Sequence, residues 1–183
     1  MGTRGMYGFY QNGVTKATYN HFDSYPEWLG KKIVDFIRNT TIEEMNEIFD
    51  RIIMVDENDK PTAEQIAECI TYYNDMVSTG SVDDWYSLLR NAQGDLNAYK
   101  NGLRYMIDNS DFIKYSLFCE WAYIINLNDN VLEIYKGFQK SPQYNRYYIE
   151  ESDSGYYNCR LLVKFPLDNI PENWLEEVYC LTR

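Results

Sequence analysis

The chain holds a single histidine, His21, which lies two residues before Asp23. Residues two apart on a β-strand point to the same face of the sheet. A strand over this segment would therefore place Tyr19 and Tyr25 on that face as well. Such a face can hydrogen-bond a polar ligand while its rings stack on it, and an imidazole beside a carboxylate can act as a general base. A structural His–Asp pair that closes a hairpin explains the same residues, and we rank it first.

Two further charged residues belong to the same hypothesis. Arg4 stands between small residues, where its guanidinium could pair with Asp23 or grip a phosphate or carboxylate. Glu120 interrupts the most apolar segment of the chain, and a buried glutamate needs a partner, for which Arg4 is the natural candidate. A structural ion network accounts for this cluster slightly better than a ligand site does. The predicted ligand-binding residues are Arg4, Tyr19, His21, Asp23, Tyr25 and Glu120.

Thr3 raises an enzymatic alternative. In N-terminal-nucleophile hydrolases a mature N-terminal threonine attacks the substrate, and its own α-amine serves as the base. Removal of Met1 would expose Gly2, so Thr3 would need a further cleavage. We therefore predict no catalytic residue. One histidine and one aspartate also fall short of the three or four ligands of a zinc site, so we expect no metal and no cofactor.

Composition limits the class of protein. With 28 acidic and 17 basic residues among 183, the net charge is −11, which argues against direct binding to nucleic acid or to an anionic membrane. A hydrophobic share of 45% and an aromatic share of 16% exclude a disordered chain. The length predicts one domain over residues 1–183. The four cysteines form no C-x-x-C pair and are expected to be free, buried thiols.

The sequence also predicts a cytoplasmic protein. No apolar run approaches the roughly 18–20 residues of a membrane span. The first ten residues lack the basic and apolar regions of a signal peptide. Met6 stands where a myristoylation signal requires serine or threonine.

The predicted elements change type along the chain. Residues 4–25 read as a β-hairpin around the turn Asn12-Gly13, and a helix is expected over 26–38. The middle third predicts helices, two of which begin with capping boxes at Thr41 and Thr62. The second of these is expected to reach Gly80. A shorter helix capped by Ser81 and another carrying residues 96–107 follow.

The last third predicts sheet. Strands are expected over 117–127, 131–138, 144–150 and 156–165, followed by a terminal helix over 171–181. Helices and strands thus occur in separate runs, which favours an α+β fold. We expect one antiparallel sheet, formed by the N-terminal hairpin and the C-terminal strands and covered by the helical middle segment.

Several segments resemble a family of small uncharacterised proteins from bacteriophages, large DNA viruses, fungi and protists. The resemblance lies in the GTRG segment at 2–5, the YNHFDSYP segment at 19–26, the strand pair at 120–127 and 131–135, and the FPL segment at 165–167. It covers most of the chain, and its N-terminal part is the most specific. The resemblance implies a viral context and supplies no catalytic residues.

These observations favour a non-enzymatic viral accessory protein of the host cytoplasm that binds and inhibits or sequesters a host component. The expected partner is a host defence protein, met through an acidic surface, or a small signalling nucleotide held by arginine and aromatic rings. Two alternatives remain open, a small hydrolase resembling N-terminal-nucleophile enzymes and a structural, oligomeric viral protein.

Overall fold

The computed structural model describes residues 2–183, and this part of the chain begins with the predicted hairpin. Strands β1 (Gly5–Gln11) and β2 (Val14–Asn20) pair antiparallel along their whole length. In the turn between them, Asn12 and Gly13 have φ angles of 50° and 80°. Asparagine and glycine tolerate this left-handed geometry best, and it matches the twist of the two strands.

The hairpin joins three later strands in one five-stranded sheet. These are β5 (Trp121–Asn126), β6 (Val131–Lys136) and β7 (Arg160–Pro166), and the order across the sheet is β2-β1-β5-β6-β7. The α+β class and the union of N-terminal and C-terminal strands are confirmed. The sheet is mixed rather than wholly antiparallel, because β1 and β5 run parallel. A parallel pair requires a long crossover connection, and the helical middle of the chain provides it.

The crossover begins with the π-helical segment Pro26–Gly30 and contains five helices. Thr41 and Thr62 each form the predicted capping box. The threonine side chain accepts a hydrogen bond from the backbone amide of the third helical residue, and the side chain of that residue accepts one from the threonine backbone amide. The second of these helices is shorter than predicted and ends at Cys69, and Asp84 rather than Ser81 caps the next. The helices are α1 (Lys31–Arg38), α2 (Ile42–Arg51), α3 (Ala63–Cys69), α4 (Trp85–Leu88) and α5 (Asn97–Lys100), and α6 (Trp174–Leu181) ends the chain as predicted.

Two sequence-based expectations are wrong. The helix expected over 96–107 ends with α5, because the chain turns at Gly102 (φ 110°) and continues as strand β4 (Tyr105–Ile107). This strand pairs in parallel with β3 (Ile53–Val55) in a separate two-stranded sheet. The edge strand expected over 144–150 does not form, and that segment is an irregular loop in the described chain.

Both faces of the large sheet are covered. Alternate residues of β5 point to opposite faces, so Trp121, Tyr123 and Ile125 pack in the main core with the helices. Ala122 and Ile124 belong to a second cluster under the loops that precede β5 and β7. Burial on both faces explains why this strand reads as a continuous apolar run.

A buried ion pair holds the loop around residue 146 on the face of the sheet that carries the second cluster. The Glu133 side chain is 2% exposed, and the Arg146 guanidinium bonds both of its carboxylate oxygens. The same guanidinium lies 3.6 Å from the ring centroid of Tyr10 and 4.9 Å from that of Tyr147. The irregular loop around residue 146 is thereby held against the sheet. Within residues 2–183 all four cysteines are free, but only Cys69, Cys119 and Cys159 are buried as predicted, since Cys180 is exposed. No helix in this part of the chain has the length and apolar character needed to cross a bilayer.

Candidate ligand-binding clefts

The segment that carries His21 is fixed by the end of the hairpin. After β2 ends at Asn20, the chain folds back so that Ser24 is fully buried. The Ser24 amide donates to the carbonyl of Thr3 (3.1 Å), and the Tyr123 hydroxyl donates to the carbonyl of Ser24 (2.8 Å). The Asn20 amide group donates to the Ser24 hydroxyl at 2.9 Å. These bonds hold residues 21–25 against the ends of β1 and β5.

Gly5 permits this close approach. A Cβ at this position would lie 2.5 Å from the carbonyl oxygen of Trp121 and 2.6 Å from the Cβ of Ser24. Real Cβ contacts are longer, so only glycine lets the first strand, the fifth strand and the buried turn meet here. The geometry around His21 therefore depends on Gly5.

Four of the six predicted ligand-binding residues line one cleft of about 510 Å³, which we call the Arg4 cleft. The backbone amide of Glu120 donates to the carbonyl of Arg4 at 3.0 Å, because the parallel pairing of β1 and β5 places the starts of the two strands side by side. No ion pair joins the two side chains, since none of the salt bridges among residues 2–183 includes Arg4. The cleft is lined by Gly2, Thr3, Arg4, His21, Phe22, Tyr25 and Glu120.

A second cleft of about 520 Å³, the Tyr19 cleft, adjoins the first. His21 and Phe22 line both clefts and so form the wall between them. The lining of the Tyr19 cleft is Tyr19, His21, Phe22, Glu57, Val77, Ser78, Tyr86 and Arg90.

The other two predicted residues do not enter the Arg4 cleft. Tyr19 lies in the Tyr19 cleft, and Asp23 lines a smaller third cleft of about 190 Å³ with Lys32 and Arg90. The alternation that would align these side chains fails because β2 ends at Asn20, and Asp23 has a left-handed φ of 53°. Asp23 consequently forms no ion pair with a basic residue of the described chain.

The surroundings of His21 fix its orientation and lower its pKa. Its Nδ1 lies 2.7 Å from the Tyr19 hydroxyl, and its backbone amide donates to Oε1 of Gln93 at 2.8 Å. Partial burial lowers the pKa of His21 below its usual 6.5, and the positive charges of Arg90 and Arg4 lower it further. These surroundings favour the uncharged form of the imidazole, and each of the two clefts that it lines contains one of the arginines.

Neither of these arginines has an anionic partner. Within residues 2–183 the guanidiniums of Arg4 and Arg90 donate no hydrogen bond and form no ion pair. Each lies near an aromatic ring instead, Arg4 at 5.2 Å from the centroid of Phe118 and Arg90 at 5.8 Å from that of Phe22. Their hydrogen-bond donors are therefore free to bind a phosphate or carboxylate in the two clefts.

The surroundings of Thr3 do not favour the hydrolase alternative. Thr3 is 2% exposed, and its carbonyl takes part in the backbone bond to Ser24 described above. Within residues 2–183 no group of three or more histidine, cysteine or acidic side chains is arranged to hold a metal ion.

Sequence reasoning missed three residues of the Tyr19 cleft, namely Glu57, Tyr86 and Arg90. They lie in loops or short helices far from His21 along the chain, and no motif marks them. The one available signal is that Arg90 is a basic residue in a chain dominated by acidic ones.

No protein-family model, curated protein or solved structure matches the chain. The resemblance of the N-terminal segments to the viral and fungal family therefore stays a prediction.

Proposed function

We propose that this protein is a non-enzymatic binding protein for a small phosphorylated, nucleotide-like ligand. In the setting that the sequence resemblance suggests, it is a viral accessory protein that sequesters a host signalling nucleotide.

One observation carries the proposal: Arg4 and Arg90 line the two clefts that share His21, and within residues 2–183 neither forms a salt bridge with a carboxylate. The chain has 28 acidic residues, so partners for two arginines are plentiful. Among the other arginines, Arg38, Arg104 and Arg146 form salt bridges with Glu172, Glu68 and Glu133, and Arg51 and Arg160 donate to backbone carbonyls instead. Guanidiniums bind phosphate oxygens through paired, charge-assisted hydrogen bonds. Two free guanidiniums at adjoining clefts are thus suited to an anion with several oxygens.

The clefts also suit the remainder of a nucleotide. Each exceeds 500 Å³, within the 300–1,000 Å³ usual for small-molecule sites. Aromatic side chains line both, with Tyr25 in the Arg4 cleft, Tyr19 and Tyr86 in the Tyr19 cleft, and Phe22 in the wall between them. Stacking on such rings binds a base without fixing its identity.

The test is a calorimetric titration of the protein with pyrophosphate and with nucleoside mono-, di- and triphosphates. We expect saturable binding that weakens about tenfold or more when Arg4→Gln or Arg90→Gln removes a charged donor. Arg51→Gln is the matched control. Arg51 is exposed and lies outside the clefts, because it precedes β3, whereas the cleft residue Glu57 follows the other end of that strand. Its loss of charge should leave the affinity within about twofold, as expected of an exposed charge outside the site.

Three results would contradict the proposal. The first is an absence of binding at millimolar ligand. The second is an equal loss of affinity in the Arg51→Gln control, which would show that only net charge matters. The third is recovery of cleaved ligand after the titration, which would indicate the hydrolase alternative. Light scattering on the same samples tests the alternative of a large structural assembly.

A further inference from the structure

The Tyr19 cleft contains a carboxylate that the proposed phosphate contacts leave unused. Glu57 follows β3, and Asn109 follows β4, its parallel neighbour. The carboxyl ends of parallel strands meet at one edge of a sheet, and both residues line an extension of the cleft of about 230 Å³. Tyr19 and Tyr86 line the cleft and this extension alike, so the two spaces adjoin.

Protein contacts fix Asn109 but leave Glu57 short of donors. The Asn109 side-chain oxygen accepts from the Thr18 hydroxyl (3.1 Å) and from the Tyr19 amide (3.0 Å), so its NH₂ group is the end left to interact with Glu57. Within residues 2–183 Glu57 forms no salt bridge. Partial burial and the nearby charge of Asp84 raise the pKa of Glu57, and the side-chain hydrogen bond with Asn109 reduces this increase in part. Its carboxylate oxygens have capacity for donors from a ligand.

We infer that Glu57 recognises a guanine base whose phosphate is bound by Arg90, a conclusion that rests on the proposed function. A carboxylate offers two acceptor oxygens side by side and pairs with two adjacent N–H donors. Guanine presents such a pair on its Watson–Crick edge, N1–H and the N2 amino group. Adenine presents an acceptor at N1 beside its amino group, and cytosine likewise places an acceptor beside its amino group. Uracil has one N–H between two carbonyls.

The arrangement of the cleft agrees with this orientation. Arg90 and His21 line the same cleft as Glu57, so a nucleoside phosphate can meet the guanidinium and the carboxylate with its opposite ends. Tyr19 and Tyr86 line both the cleft and its extension together with Glu57, so their rings are available to stack on a purine there. The combined space of about 520 and 230 Å³ is ample for one nucleotide.

The experiment compares guanosine, inosine and adenosine monophosphates on the wild-type protein and on Glu57→Gln. Inosine monophosphate differs from the guanosine compound only by lacking the N2 amino group, so it removes one donor to the carboxylate. We expect it to bind about tenfold more weakly, and the adenosine compound more weakly still. In Glu57→Gln the difference between guanosine and inosine monophosphates should shrink to about twofold or less. Glu64→Gln, an exposed change on α3, is the matched control and should keep the full preference.

The possible outcomes separate this inference from the proposed function. If the three nucleotides bind equally and Arg90→Gln still weakens all of them, the guanine assignment is wrong and the phosphate site stands. If neither pyrophosphate nor any nucleotide binds, the proposed function fails, and the inference with it. A preference for guanosine monophosphate that survives Glu57→Gln also overturns the assignment to this residue. Circular dichroism of each variant excludes misfolding as the cause.

Discussion

Removing Arg146 should destabilise the protein strongly, because it leaves the Glu133 carboxylate buried without its counter-charge. The Glu133 side chain is 2% exposed and that of Arg146 is 26% exposed, so water cannot replace the guanidinium on the sheet side. At an effective dielectric constant of about 20, unit charges 4 Å apart interact by about 4 kcal/mol. Breaking a buried pair by losing one partner costs about 3–5 kcal/mol. We expect Arg146→Met to lower the free energy of unfolding by that amount.

The assay is equilibrium urea denaturation followed by tryptophan fluorescence. Arg160→Met serves as the control, since Arg160 is an exposed arginine of the same sheet whose guanidinium donates to the Leu181 carbonyl at 3.1 Å. It should cost less than about 1 kcal/mol. The double variant Glu133→Gln/Arg146→Met removes both charges and should regain part of the loss. A loss below about 1 kcal/mol for Arg146→Met would refute the reasoning, because it would mean that the carboxylate is solvated or paired elsewhere.

Two further predictions concern the clefts. Gly5→Ala would push a Cβ against the Trp121 carbonyl and Ser24, so we expect a loss of about 1–3 kcal/mol in urea denaturation; unchanged stability would show that the two strands can separate there at no cost. Asp23→Asn should keep ligand affinity within about twofold in calorimetry, because Asp23 lines neither the Arg4 cleft nor the Tyr19 cleft and forms no ion pair with Arg4 or Arg90. A tenfold loss would place Asp23 in the site.

Local signals predicted the elements whose stability is local. The Asn12-Gly13 turn specifies its hairpin, and the capping boxes at Thr41 and Thr62 specify where two helices begin. The apolar spacing of residues 96–107 also fits a helix, but the chain turns at Gly102 and the residues after it pair as β4 with β3. The parallel direction of β1 and β5 follows from how the crossover packs, which no local pattern contains.

In the candidate site, too, tertiary packing sets positions that local sequence signals do not predict. Arg4 and Glu120 meet because β1 and β5 run parallel and start at the same edge of the sheet, which the predicted antiparallel sheet did not imply. Strand alternation holds only as far as Asn20, where β2 ends, so the prediction that Asp23 shares a face with His21 is wrong. Arg90 reaches the cleft through tertiary packing, for which the sequence carries no short-range signal.

The central claim is that an anion binds the free guanidiniums in the clefts that His21 lines, and the single histidine makes this directly measurable. Arg90 and Arg4 lower the pKa of His21, so a bound anion that neutralises them should raise it. The pKa of His21 is then higher in the complex than in the free protein. Linkage requires the anion to bind more tightly as the pH falls through the range between these two values. In the free protein, protonation of His21 disfavours folding, so this contribution destabilises the protein as the pH falls below 6.5.

The most direct measurement is a pH titration of the His21 ring resonances by NMR, with and without pyrophosphate. Only one set of histidine signals exists, so the assignment is unambiguous. We predict a His21 pKa below 6.5 in the free protein and a clear upward shift at saturating pyrophosphate, which Arg90→Gln reduces. Ring resonances and a pKa that do not change in millimolar pyrophosphate would contradict the account.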